Sequence, residues 1–110
     1  MGTPAVSLPP LTSPLWTQEQ AIAFEAACEC ISHVMAICSV ELHRAQANQV
    51  PDIELVDSLR AQLASLALER SALHVGDDER VASVRAVYGA RVRLHTQQLK
   101  DRAARTSGYA

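Results

Sequence analysis

Apolar residues between Phe24 and Leu42 recur every three or four positions, at Phe24, Ala27, Ile31, Val34, Met35, Ile37, Cys38 and Leu42. At about 100° per residue they fill one half of a helical circumference, and Glu25, Glu29, Ser32, Ser39 and His43 fill the other. The pattern predicts a long amphipathic helix. Its start is marked by Thr17-Gln18-Glu19-Gln20, which has the form of a capping box, with Leu15 and Trp16 just before it. Its end falls before Pro51, because Val50 is pushed away from helical dihedrals by the proline ring that follows. Roughly thirty residues, about 45 Å of helix, lie between these signals.

A second helical period begins at Pro51 or Asp52 and runs to about His74, with Leu55, Leu59, Leu63, Leu66 and Leu73 on one stripe and Gly76 as its expected C-cap. Asp77, Asp78 and Glu79 then open a third helix, where carboxylates suit the positive end of the helix dipole. That reading of the acidic triplet is preferred to a calcium loop, which needs further ligands at alternate positions. The third helix carries Val81, Val84, Tyr88, Val92 and Leu99 on its apolar stripe, and Gly89 inside it marks a close contact or a bend.

Together these signals predict an all-α protein: an elongated antiparallel bundle of three long helices, at about residues 17–48, 52–74 and 78–103. An extended proline-containing arm, residues 1–16, precedes the single helical domain of residues 17–105, and a disordered tail of residues 106–110 follows it. The aliphatic composition, with only 4% aromatic residues, fits such a core.

Charge changes the picture more than composition does. Residues 1–79 contain Arg44, Arg60 and Arg70 against eleven acidic side chains, whereas residues 80–110 contain seven basic side chains and only Asp101. Arg91, Arg93, Arg102 and their neighbours could form a footprint for phosphates, or could pair with the acidic helices of the same molecule or of a partner. The arginines are spread around the third helix, and Tyr88 lies on its apolar stripe, so nucleic acid is the less favoured partner. Arg70 falls on the leucine stripe of the second helix, and the hairpin register places Glu29 opposite it as the expected ion-pair partner.

All three cysteines and two of the four histidines lie between Ala26 and Ala45. Cys28, Cys30 and Cys38 point to about 240°, 80° and 160° around the first helix, too far apart for a shared tetrahedral site. Cys30 and His33 are the one pair at ligand spacing, and a folded-back His74 could approach them. The expectation is nevertheless that the cysteines are small buried hydrophobes and that no metal or cofactor is bound. No phosphate-binding glycine loop, nucleophile elbow, zinc-protease helix or di-iron Glu-x-x-His motif is present, and no residue stands out as catalytic. An odd cysteine count without framework spacing points to a reducing, cytoplasmic setting. The N-terminus lacks the features of a signal peptide, and the most apolar window contains Glu25, Glu29 and His33, so no membrane role is expected.

The stretches TQEQAIAFEAA, ERSALHV and VRAVYGARVR resemble short uncharacterised helical proteins carried on bacterial integrative elements and plasmids, over most of residues 12–95. The resemblance implies an accessory protein of a mobile element and supplies no activity or site residues. The sequence therefore points to a non-enzymatic helical interaction protein that self-associates or receives a partner helix. The expected homodimer uses the edge of the first helix bearing Phe24, Cys28 and Met35, and Glu41 at that interface needs a basic partner, for which Arg44 of the partner subunit is one candidate.

Overall fold

The computed structural model describes residues 15–107, which form three helices, their two connections and the residues that lead into the first helix. The expected arm, residues 1–16, lies outside the described residues except for Leu15 and Trp16, and so does the end of the expected tail, residues 108–110. The protein is an elongated all-α bundle of α1 (Gln18–Ala47), α2 (Ile53–Ala72) and α3 (Asp78–Ser107).

Each helix begins where its sequence supplies an oxygen for the free backbone amides. Thr17 Oγ1 accepts from the Gln20 amide at 3.0 Å, and Gln20 Oε1 accepts from the Thr17 amide at 2.8 Å, which completes the capping box of α1. Asp52 Oδ1 accepts from the Leu55 amide at 3.2 Å to start α2. Asp77 Oδ1 does the same for the Arg80 amide at 3.2 Å, so the acidic triplet serves the start of α3. α1 ends at Asn48, whose ψ of 148° is extended, just ahead of Val50-Pro51.

α2 ends earlier than its leucine pattern predicts. Leu73 leaves the helix with ψ 133° and remains buried, because the inward stripe continues into the connection as side-chain packing after the helical backbone has stopped. Gly76 is correspondingly not a helix cap. It sits in the turn closed by the Asp77 amide on the His74 carbonyl at 3.1 Å, with φ outside the left-handed region. At the other end of the chain α3 continues to Ser107, so the expected tail is helical at residues 106 and 107.

α1 is the centre of the bundle. α2 folds back antiparallel along it, α3 returns parallel to it, and these two packings hold the fold. Gln20 Nε2 donates to Asp78 Oδ1 at 3.0 Å, which ties the first turns of α1 and α3 together at one end. The main core joins Ala27, Ile31, Val34 and Cys38 of α1 to Leu66 and Leu73 of the α2 side and to Val81 and Val84 of α3. Burying side chains of this size contributes about 1.5–3 kcal/mol each for the larger ones. A second, smaller core of Ala45, Val56 and Leu59, with Leu42 beside it, lies at the far end between α1 and α2 alone.

That second core corrects two predicted stripes. Leu55 and Leu99 belong by periodicity to the inward faces of α2 and α3, yet each is 46% exposed. The cause is common to both, since α3 contributes no residue to the far core.

Candidate functional site

The cysteines are separated by the bundle as their angles require. Cys38 is buried, and its thiol donates weakly to Gln62 Oε1 at 3.7 Å. The Arg91 guanidinium reaches Gln62 Oε1 at 3.3 Å and Cys38 Sγ at 3.9 Å, so α1, α2 and α3 are linked here by one thiol, one amide and one cation. Cys30 faces the other way, toward Gly89 of α3, where an added Cβ would lie 3.9 Å from its Sγ. Cys28 is half-buried against the main core.

His33 and His43 are exposed. His74 does not approach Cys30 and His33; it lines a groove with Trp16, Phe24 and Glu25. The correction follows from the hairpin register, which sets Leu73 and His74 against the first third of α1. Among the described residues no group of three or more His, Cys, Asp or Glu could hold a metal ion.

The two edges of α1 both face helices of the same chain. Phe24 lines an open groove with Leu73 and His74, just past the end of α2, and Met35 lines another with Ala67, Arg70 and Ser71 of α2; both side chains are half-buried against the main core. Cys28 lies on that side too, packed against the main core. Ala23 and Cys30, on the opposite edge, face Val81, Arg85 and Gly89 of α3. An apolar arc of about 180° is wide enough for two neighbours at once, and here it receives two. Arg70 is exposed beside Met35 and Ser32, and no hydrogen bond joins it to Glu29 among the described residues. Its long side chain runs outward, which removes the need for a buried carboxylate.

Tyr88 makes the most directed polar contact between α2 and α3. Its hydroxyl donates to Glu69 Oε1 at 2.5 Å. This hydrogen bond, with burial and the Glu69 charge, raises the Tyr88 pKa above the ordinary value of 10.0, against the opposing charges of Arg91 and Arg80.

Among the described residues, the last turns of α3 at the far end of the molecule are uncovered. From Thr96 to Thr106 every residue of α3 is exposed, Arg102 among them. Its hydrogen bonds there are local: Gln97 Nε2 to Asp101 Oδ1 at 2.9 Å, and the Thr96 and Thr106 hydroxyls to carbonyls one turn back. Glu41 is exposed as well, in a shallow groove with Arg44, Ala45, Asn48, Leu55 and Leu59 of its own chain. Arg93 is exposed, with its Nη1 lying 3.3 Å from the position of a Cβ at Gly89.

Sequence periodicity did not find this open end, because it assigns a face to each residue without stating how far along the face a neighbour extends. The available signal was the thinning of α3 beyond Val92, where Leu94 and Leu99 are the only large apolar residues before Ser107.

α1 is long and apolar enough to cross a membrane, with a mean hydropathy of 1.5 over its most apolar eighteen residues. Ala27, Ile31, Val34 and Cys38 are buried within the bundle, and 28% of that window is buried. No protein family, curated protein or solved structure matches the chain.

Proposed function

We propose that this protein is a non-enzymatic helical interaction protein that works by assembling through the open end of its bundle, where α3 stands clear of the α1–α2 hairpin. The observation that carries this reading is the run of eleven exposed helical residues from Thr96 to Thr106. These turns continue a helix already nucleated by the packed part of α3 but gain no burial of their own. Leu99 within this run and Leu55 on α2 remain 46% exposed on faces built to point inward. Covering the rest of each would contribute about 1 kcal/mol.

The proposed interaction surface is the end bearing Glu41, Leu55, Leu99 and Arg102, whereas the Phe24, Cys28 and Met35 edge is half-buried against the main core. Free cysteines at 28, 30 and 38 support a cytoplasmic setting. The resemblance carried by TQEQAIAFEAA and VRAVYGARVR supports an accessory role on a bacterial mobile element.

A second reading has its own support in the exposure of Lys100, Arg102 and Arg105 on the uncovered turns, which suits phosphate groups of a nucleic acid. Light scattering across micromolar concentrations, with and without duplex DNA, separates the two. Self-assembly requires a mass above 11.9 kDa for the protein alone. A protein that stays at that mass until DNA is added acts by the second route.

A further inference from the structure

The open end carries both signs of charge, on different helices. On the hairpin, Glu41, Asp52, Glu54 and Asp57 are all exposed, against Arg44 and Arg60. On the facing length of α3, Arg93, Lys100, Arg102 and Arg105 are exposed, against Asp101 alone. α1 ends, α2 begins and α3 finishes at this same end, because Gln20 and Asp78 pin the starts of α1 and α3 together at the other.

We infer that a second copy of the chain closes this end, with the basic last turns of α3 from each subunit lying across the acidic hairpin tip of the other. The inference rests on the self-assembly reading and specifies its surface. A two-fold arrangement satisfies it because every copy brings one acidic tip and one basic helix end, so a single contact type is made twice. Leu55 and Leu99 supply the apolar centre, and the charges form its rim and set the pairing.

Duplex DNA fits the same end less well. Its phosphates would meet Asp52, Glu54 and Asp57 next to the arginines, whereas Arg102 and Arg105, at about 300° and 240° from Val81, flank Leu99 at about 0° on one side of α3 and can meet an acidic tip together.

The test uses the full chain and two charge-reversed variants, Arg102→Glu with Arg105→Glu, and Glu54→Arg with Asp57→Arg. All four positions are exposed, so helical content by circular dichroism should stay at the unsubstituted level. By sedimentation velocity, each variant alone should dimerise at least tenfold more weakly than the unsubstituted protein. An equimolar mixture should recover a dimer, because the reversed helix end meets the reversed tip in one contact and the unsubstituted helix end meets the unsubstituted tip in the other. The unsubstituted dimer should also weaken as salt rises from 0.05 to 0.5 M.

Dimers that persist in both variants, or that ignore salt, overturn the inference while leaving self-assembly standing. Variants that each fall apart and do not recover on mixing overturn the pairing of tip with helix end. A monomeric unsubstituted protein removes both the inference and the reading beneath it. Submicromolar binding of duplex DNA at physiological salt by a protein that does not dimerise assigns the basic turns to nucleic acid instead.

Discussion

Replacing Gly89 with alanine should stabilise this protein, although the glycine sits at a helix contact. A methyl group there would lie 3.9 Å from Cys30 Sγ, an ordinary van der Waals distance, and 3.3 Å from Arg93 Nη1. The second contact is with the far end of a long exposed side chain, which can move by a few tenths of an ångström at little cost. Against that stands the gain in helix propensity, about 0.8–1 kcal/mol for glycine to alanine in a helix interior. The net expectation is about 0.5–1 kcal/mol of added stability, or a rise of roughly 2–8 °C in Tm for a domain of this size. Urea unfolding followed by circular dichroism measures it, at fixed protein concentration because assembly shifts apparent stability. Gly76→Ala is the companion variant, since nothing lies within 4 Å of its added methyl and it tests alanine in a turn instead of a contact. A loss of more than about 0.5 kcal/mol in Gly89→Ala, with an unchanged m-value, would refute the spacing of α1 and α3 described here.

Ile31 is fully buried in the main core, so Ile31→Ala should cost about 2–5 kcal/mol in the same unfolding experiment, and a change under 1 kcal/mol would mean the core is not packed as described. Thr17→Ala removes half of the capping box and should cost about 1 kcal/mol, read from the same urea midpoint. In a Tyr109→Phe background, absorbance titration should show Tyr88 ionising above the usual tyrosine range, and Glu69→Gln should bring it down. Because folding raises this pKa, the neutral phenol is the favoured form: its contribution is complete below about pH 10 and disappears as pH rises through the raised value. Thiol labelling should leave Cys38 the slowest of the three cysteines, since it alone is buried; equal rates at all three would show that α1 is not covered by α2 and α3.

Much of the fold was legible because it depends on short-range chemistry. Thr17 and Gln20, Asp52, Asp77 and the Val50-Pro51 break each act within four residues of themselves, and a period of 3.6 fixes the inward face of α1 from Ala27 to Cys38. What was not legible depends on which neighbour covers a face and for how long. Phe24 and Met35 looked spare because one neighbouring helix cannot cover the whole apolar arc, and the order in which α2 and α3 divide that arc is a tertiary fact. Leu55 and Leu99 looked buried for the same reason in reverse, their stripes continuing past the point where α3 contributes to a core. Arg70 carried a pairing argument that a flexible four-bond side chain avoids by reaching solvent.

Amide hydrogen exchange across residues 96–106, measured at two protein concentrations, tests the assembly of the open end most directly. The account predicts protection at high concentration that disappears on dilution, because only a second copy covers these turns. Equal exchange at both concentrations, whether protected or free, would contradict it.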